Sequence, residues 1–503
     1  MAIKSCHILN DNNRPLQLFT RLFSNDRINK GELFMNYLDS KEYDETDAAS
    51  IESYSQNLID KTFQEVLNED LEGKVEESTS NYYENRSFKG GLGNLVEKHF
   101  FHYEPNSNPE PDFPLAGVEL KVTPFKKNKN GSFSAKERLV LTMIDYMKLL
   151  DETFEDSHFW NKSKLLLLIH YLWEEDTDRL NYIIKHANLF SPPKDDLEII
   201  KNDYRIIQEK VEKGLAHELS GSDTLYLEAC TKAATSADRT SQPNSNIQAK
   251  PRAFAFKSSY MTYVLNNYIM NEHPDEESII KSSTTIPFED YIKNKISKYK
   301  DYSVEDLCKK FDITFDKKPK NLEALIAYRI LGIKGNKASE FEKAGIVVKA
   351  IRIENNDKIR EHMSFPNFKF TEIIKENWED STFRNYLDNT RFFFVVYKYD
   401  NQGILRLKGC QFWSIPFDDL ENNVKSVWLK TCKVINEGIK ITERNGKTYN
   451  NFPSPSENPV CHVRPHARNK DDTYELPNGD SFTKQCFWLN NSYILSQIDD
   501  DLK

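Results

Sequence analysis

Apolar and polar positions alternate along this chain in two ways. Leu16 to Leu38 carries apolar residues at helical spacing, with Leu18, Phe19, Leu22 and Phe23 on one side, and predicts one amphipathic helix. Further on, short unbroken apolar runs, Leu165–Ile169 and Phe392–Val396, predict buried strands. These runs belong to a longer pattern that occurs twice. The helical stretch Leu92–Glu97 is answered by Leu322–Ala327, and Ala116–Lys121 by Ala344–Lys349. Phe154–Ser157 is answered by Trp378–Ser381, and Asp195–Glu198 by Asp418–Glu421. Gly214 and Gly438 each close a helical run as a C-cap would. Ala253–Tyr260 is answered by Cys486–Tyr493. Seven matches in one order, at offsets of 223 to 233 residues, predict two similar α/β domains. We place them at residues 51–270 and 286–503, with an Asn-, Ser- and Glu-rich connector at 271–285. Residues 1–50 match neither copy and form an N-terminal extension without assigned chemistry.

Composition narrows the class. A chain of 503 residues has room for several full cores. No run of eighteen apolar residues is present and the N-terminus lacks an apolar signal core, so no membrane association is expected. Seven scattered cysteines without CxxC pairs fit a reducing cytoplasm. The net charge of −10 argues mildly against a polyanionic partner, but its distribution does not. Lys121, Lys126, Lys127, Lys129, Lys136 and Arg138 fall within eighteen residues, opposed mainly by Glu137.

That basic cluster follows the stretch Pro111–Lys121, which contains Asp112, Glu119 and Lys121. Glu119 and Lys121 are two apart in a β-rich run and share one face of a strand. Leu115 to Val118 are apolar, which predicts a buried strand holding the carboxylate. Hard oxygen ligands beside an ammonium suit metal-assisted phosphodiester hydrolysis: Asp112 and Glu119 could hold Mg2+, Glu97 could add a third carboxylate, Lys121 could orient the attacking water, and Lys162 could steady the phosphate. The second copy lacks most of these groups. Glu97 pairs with Ala327, Glu119 with Val347, Asp112 approximately with Glu340, and Lys162 with Asn389; Lys121 alone keeps its like, Lys349. A fold kept while its acids are erased suggests binding without catalysis.

The stretch from Leu92 to Lys121, with Tyr226–Ala234 and Pro251–Lys257, resembles the MutH family of GATC-specific endonucleases. The doubled arrangement resembles the type II restriction endonucleases that cut at GATC and join an active MutH-like domain to an inactive copy. Ala116–Lys127, Lys136–Leu141 and Cys461–His466 carry that second likeness, which covers residue 51 to the end. The resemblance implies tandem restriction-endonuclease-like domains, each a mixed sheet flanked by helices with the acidic pair at one sheet edge. It implies Mg2+ and cleavage leaving a 5′-phosphate. Its metal and catalytic positions fall on Glu97, Asp112, Glu119, Lys121 and Lys162, and its base-reading loop on Cys230, Thr231 and Lys232. Where MutH has Arg-Pro before that lysine, this chain has Cys230-Thr231, and the second copy has Arg464-Pro465 followed by His466.

Lys232 could donate to guanine N7 and O6 or could meet a phosphate. Arg252 and Lys257 read as phosphate contacts. Glu137 beside Arg138 could accept from a base amino group or pair with a nearby lysine. Cys461, His462 and His466 read as a DNA-contacting loop with Arg464, and alternatively as zinc ligands on a helix. GATC is a palindrome, so a chain with one live site must pair on DNA or cut the strands in turn. The second copy would then bind another GATC site as an effector, and a matching methyltransferase would protect the host. Two other readings stay open: a mismatch-repair nickase, and a non-catalytic protein with two DNA-binding modules.

Overall fold

The computed structural model describes residues 42–503 except 86–89, 107, 234, 236, 272–276, 282–285, 315–318 and 445–446. The expected Leu16–Leu38 helix lies outside the described residues. In the first half, β1 (Glu119–Lys127) pairs in parallel with β4 (Leu166–Leu172), and antiparallel at its far end with β2 (Phe133–Ala135). Strand β5 (Ile183–Phe190) runs antiparallel to β4, which gives the mixed order β2-β1-β4-β5. A second, antiparallel sheet has the order β3 (Leu139–Met143), β7 (Arg252–Phe256), β6 (Leu227–Thr231).

The second half repeats this wiring. Strand β8 (Val347–Ile353) pairs in parallel with β10 (Phe392–Tyr399), and β11 (Leu405–Trp413) runs antiparallel to β10. The three-stranded partner sheet joins β9 (Met363–Phe368), β17 (Gln485–Leu489) and β14 (Cys461–Pro465). Two hairpins decorate it: β12 (Ile441–Arg444) with β13 (Lys447–Asn450), and β15 (Thr473–Glu475) with β16 (Ser481–Thr483). The molecule is thus an α/β protein with two restriction-endonuclease-like units of mixed sheet flanked by helices. Cap chemistry repeats as well. Buried Ser157 accepts from Trp160 N and opens the His158–Ser163 helix, and buried Ser381 does the same for Thr382–Asn389 through Arg384 N.

The halves are not strung apart on a linker. Alternation on the central strands sends Phe392, Phe394 and Val396 into a core private to the second half, while Phe393, Val395 and Tyr397 enter one core with Tyr226 and Phe256 of the first. A third core under β1 and β4 contains Val118, Leu120, Leu167 and Ile169. It also takes in Tyr43, whose hydroxyl donates to Phe101 O, so the described end of the N-terminal extension packs on the first half. Polar contacts join the halves. Lys343 Nζ lies 2.6 Å from Asp196 Oδ1, both nearly buried, and Tyr260 and Tyr268 donate to Oδ2 of the same carboxylate. Lys250 pairs with Glu379 at 2.9 Å. The described part of the connector is docked too, with Ile279 fully buried and its N–H donating to Glu340. Among the described residues no helix is long and apolar enough to cross a membrane.

Candidate active site

A closed loop explains the spacing of the acids. Phe113 and Val118 exchange backbone hydrogen bonds, and Gly117 makes the turn at φ +68°, where a side chain would be strained. The six residues between Asp112 and Glu119 therefore fold back, and Asp112 Oδ2 accepts from Leu120 N at 2.8 Å. Leu115 sits exposed at the loop, 66% accessible, so the apolar run does not form a buried strand from its first residue. The strand begins at Glu119, which is 2% exposed. Its neighbour Leu120 faces the core, which puts Glu119 and Lys121 together on the other face.

Lys121 Nζ donates to Glu119 Oε1 at 2.8 Å. Lys162, in the last turn of the His158–Ser163 helix, brings Nζ to 3.1 Å from Oε2 and donates to Asn108 O. The Lys162–Oε2 approach has an ion-pair distance without hydrogen-bond alignment, and Oε2 is a buried oxygen with no hydrogen-bond donor. The helix and the strand thus place two ammoniums on one carboxylate. Glu97, on the Gly91–His99 helix, completes the group. Burial, then the charge of Asp112, pushes the Glu97 carboxyl up to about 7. Burial, then Glu119, pushes Asp112 up to about 6, against the lowering effect of the Leu120 N–H. Tyr103, which no motif singled out, has a buried hydroxyl without a hydrogen-bond partner, held strongly protonated by burial and by Asp112, Glu97 and Glu119.

Among the described residues no three His, Cys, Asp or Glu side chains form a ready-made metal cage. The donor set still fits a hard divalent cation. Burial and neighbouring carboxylates keep two carboxyls from ionising readily, and a third has an oxygen that accepts no hydrogen bond.

Several expected DNA contacts are rearranged by packing. Thr231 and Lys232 are exposed at the end of β6, and Glu137 is exposed too. Arg138 pairs instead with Glu228 at 2.9 Å, a glutamate 2% exposed and not foreseen. Arg252 and Lys257 are 5% and 3% exposed, and they donate to Ala229 O and Thr224 O. Both were expected to meet phosphates. They face the interior instead and brace β6 and β7, because each lies next to backbone carbonyls that need donors.

In the second copy the register is kept. Val347 and Lys349 stand opposite Phe392 and Phe394 of β10, as Glu119 and Lys121 stand opposite Leu166 and Leu168 of β4. Glu340 is no Asp112: its oxygens accept from Ser278, Ile279 and Ile280. Asn389, at the Lys162 position, packs against Gly221 of the first half beside Glu228, where any Cβ on Gly221 would collide with both side chains. His462 and His466 lie on a strand and its end, not on a helix. Strand spacing separates them, and His462 is fully buried with Nδ1 bonded to Asn490, so they form no zinc site. Arg464 and His466 are exposed beside Trp488, Arg464 over its ring at 4.9 Å and His466 edge-on to it at 5.4 Å. The Arg138–Glu228 position is occupied by a histidine pair, His362 and His462, in edge contact at 4.7 Å.

Comparison with known proteins places this geometry. The family profile of the DNA mismatch repair enzyme MutH matches residues 101–203, the segment from the acidic loop through the first sheet. The type II restriction enzyme Sau3AI of Staphylococcus aureus is 39% identical over 457 residues, covering 82% of this chain and 93% of the relative. The DNA mismatch repair protein MutH of Shewanella woodyi is 28% identical over 181 residues, 35% of this chain and 76% of that protein. The MutH protein of Vibrio vulnificus strain YJ016 is likewise 28% identical, over 36% of this chain.

Proposed function

The chain belongs to the Sau3AI family of type II restriction enzymes and is a site-specific deoxyribonuclease, and from that premise we propose that it hydrolyses double-stranded DNA at GATC with Mg2+ and leaves 5′-phosphate ends. The observation that carries this reading is the convergence of Asp112, Glu119, Lys121 and Lys162 at the start of β1. Asp112 and Glu119 would hold the cation, with Glu97 beside them. When bound, the ion supplies Lewis acidity and cancels charge developing on the phosphate. Lys121 orients the attacking water in line with the leaving oxygen. Lys162, fixed by Asn108 O, meets the non-bridging oxygens. Lys232 and Thr231 read the base edges, and Glu137 and Arg138 line the approach.

We assign residues 51–270 to the cutting domain and 286–503 to a domain that binds a second GATC site through Arg464 and His466 and favours an active, DNA-induced dimer. A cognate GATC methyltransferase would accompany the enzyme. The restriction reading is favoured over repair nicking by coverage: the MutH relatives match about a third of the chain, whereas the restriction enzyme matches both copies. The test is incubation with unmethylated plasmid in Mg2+ beside Glu119→Ala, followed by sequencing of the ends. Linear product with ends at GATC, absent in the variant, is expected. Nicked circles alone would favour the repair reading, and cleavage by the variant would overturn the site.

A further inference from the structure

The erased position in the second copy leaves a cation without its anion. Lys121 is paired with Glu119 at 2.8 Å, but at the same register Val347 replaces the acid. Lys349 is half-buried and, among the described residues, makes no ion pair or hydrogen bond; burial alone lowers its pKa. It lines a cavity of about 370 Å3 with Lys320, Arg352, Arg360 and His362. Two of the three acids in its wall are already engaged. Glu323 pairs with Arg352 at 2.9 Å and Glu354 with Arg360 at 3.6 Å, while Glu361 is exposed. His362 Nδ1 accepts from Asn491 N, which fixes its ring at the cavity wall.

We propose that this cavity is a metal-independent phosphate site, and that Lys349 holds a backbone phosphate of the effector duplex where the first copy holds the scissile one. The inference rests on the reading of the second copy as a DNA-binding domain and adds how it binds. In the first copy a phosphate must approach three carboxyls, so a divalent cation has to screen it. In the second copy Ala327 and Val347 remove two of those charges and Glu340 is engaged by the connector, so the phosphate itself becomes the counter-ion of Lys349. Loss of the acids thus turns a cleaving site into a holding one.

The test uses the full chain in EDTA and a labelled GATC duplex, native or with one neutral methylphosphonate at the phosphate equivalent to the scissile one, followed by anisotropy. Lys349→Gln is expected to weaken binding of the native duplex about tenfold, and Lys349→Arg to restore most of it. The neutral linkage should weaken wild-type binding by a similar factor and cause no further loss in Lys349→Gln. Excess inorganic phosphate should compete only weakly if the duplex is the source of the anion; full competition at equal phosphate concentration would overturn the duplex assignment. Unchanged binding by Lys349→Gln, or a full methylphosphonate penalty in that variant, would overturn the phosphate site. A one-site plasmid cut as fast as a two-site plasmid would instead overturn the effector reading beneath it.

Discussion

The starts of β1 and β8 have the same backbone and opposite chemistry. Both follow a left-handed glycine, Gly117 or Gly345, both pair in parallel with a buried apolar strand, and both put a lysine two residues inside. In β1 the lysine faces a carboxylate that also faces Lys162; in β8 it faces a cavity. Asn389, which takes the place of Lys162, is turned into the contact between the halves. A strand register is therefore a platform that holds side chains wherever the fold needs the strand, and the residues at two positions decide what it does.

The sharpest way to break the contrast is to make the first copy like the second. Glu119→Val should lower single-turnover plasmid cleavage by about a thousandfold or more, since Lys121 and Lys162 lose their common partner and the cation a ligand. Activity within tenfold of wild type would show that the acid difference is not what separates the copies. Next in size is the seam. Lys343→Ala leaves the Asp196 carboxylate buried without a cation and should cost about 3–5 kcal/mol in denaturant unfolding. If the halves unfolded in two separate transitions already in the wild type, the shared core would not couple them.

The smallest effect follows from the raised carboxyls. Asp112 titrates near 3.8 when unfolded and about 6 when folded, so its neutral form favours the fold below about pH 4 and that contribution is lost as pH rises through about 6. Glu97 behaves alike, with the loss completed around 7. Asp112→Asn should therefore stabilise the metal-free enzyme at pH 7.5 by on the order of 1–2 kcal/mol, after allowance for partial exposure, and by nothing near pH 4. Added Mg2+ should raise the melting temperature of the wild type at pH 7.5 more than that of the variant. Equal shifts would remove Asp112 from the cation's ligands. In the second copy Val347 replaces the one acid and the connector's N–H groups engage Glu340.

Much of this was legible along the chain. The repeat could be read because each copy must rebuild the same helices, strands and caps: Ser157 and Ser381, Gly117 and Gly345, and the two apolar runs all serve local geometry that leaves a local signature. The grouping of Asp112, Glu119 and Lys121 was legible because one tight loop and one strand bring them together. Lys162, forty-one residues on from Lys121, could be named a candidate from the repeat and its chemistry, but only the fold brings it to Glu119. Tyr103, Glu228 and Trp488 carried no pattern, since a single polar or aromatic residue looks the same in sequence whether it faces solvent, core or a site.

The sequence by itself determined the doubling, the α/β class and which copy has the acids, because these depend on residue identity and on spacing within one element or turn. The tertiary structure alone decided that Arg252 and Lys257 turn inward, that Arg138 is tied to Glu228, and that the halves share a core and the Asp196–Lys343 ion pair. Those outcomes depend on which distant carbonyl or carboxylate arrives beside a charged head. A charge removed from water must find its partner in space, and that partner is set by how the sheets pack and not by distance along the chain.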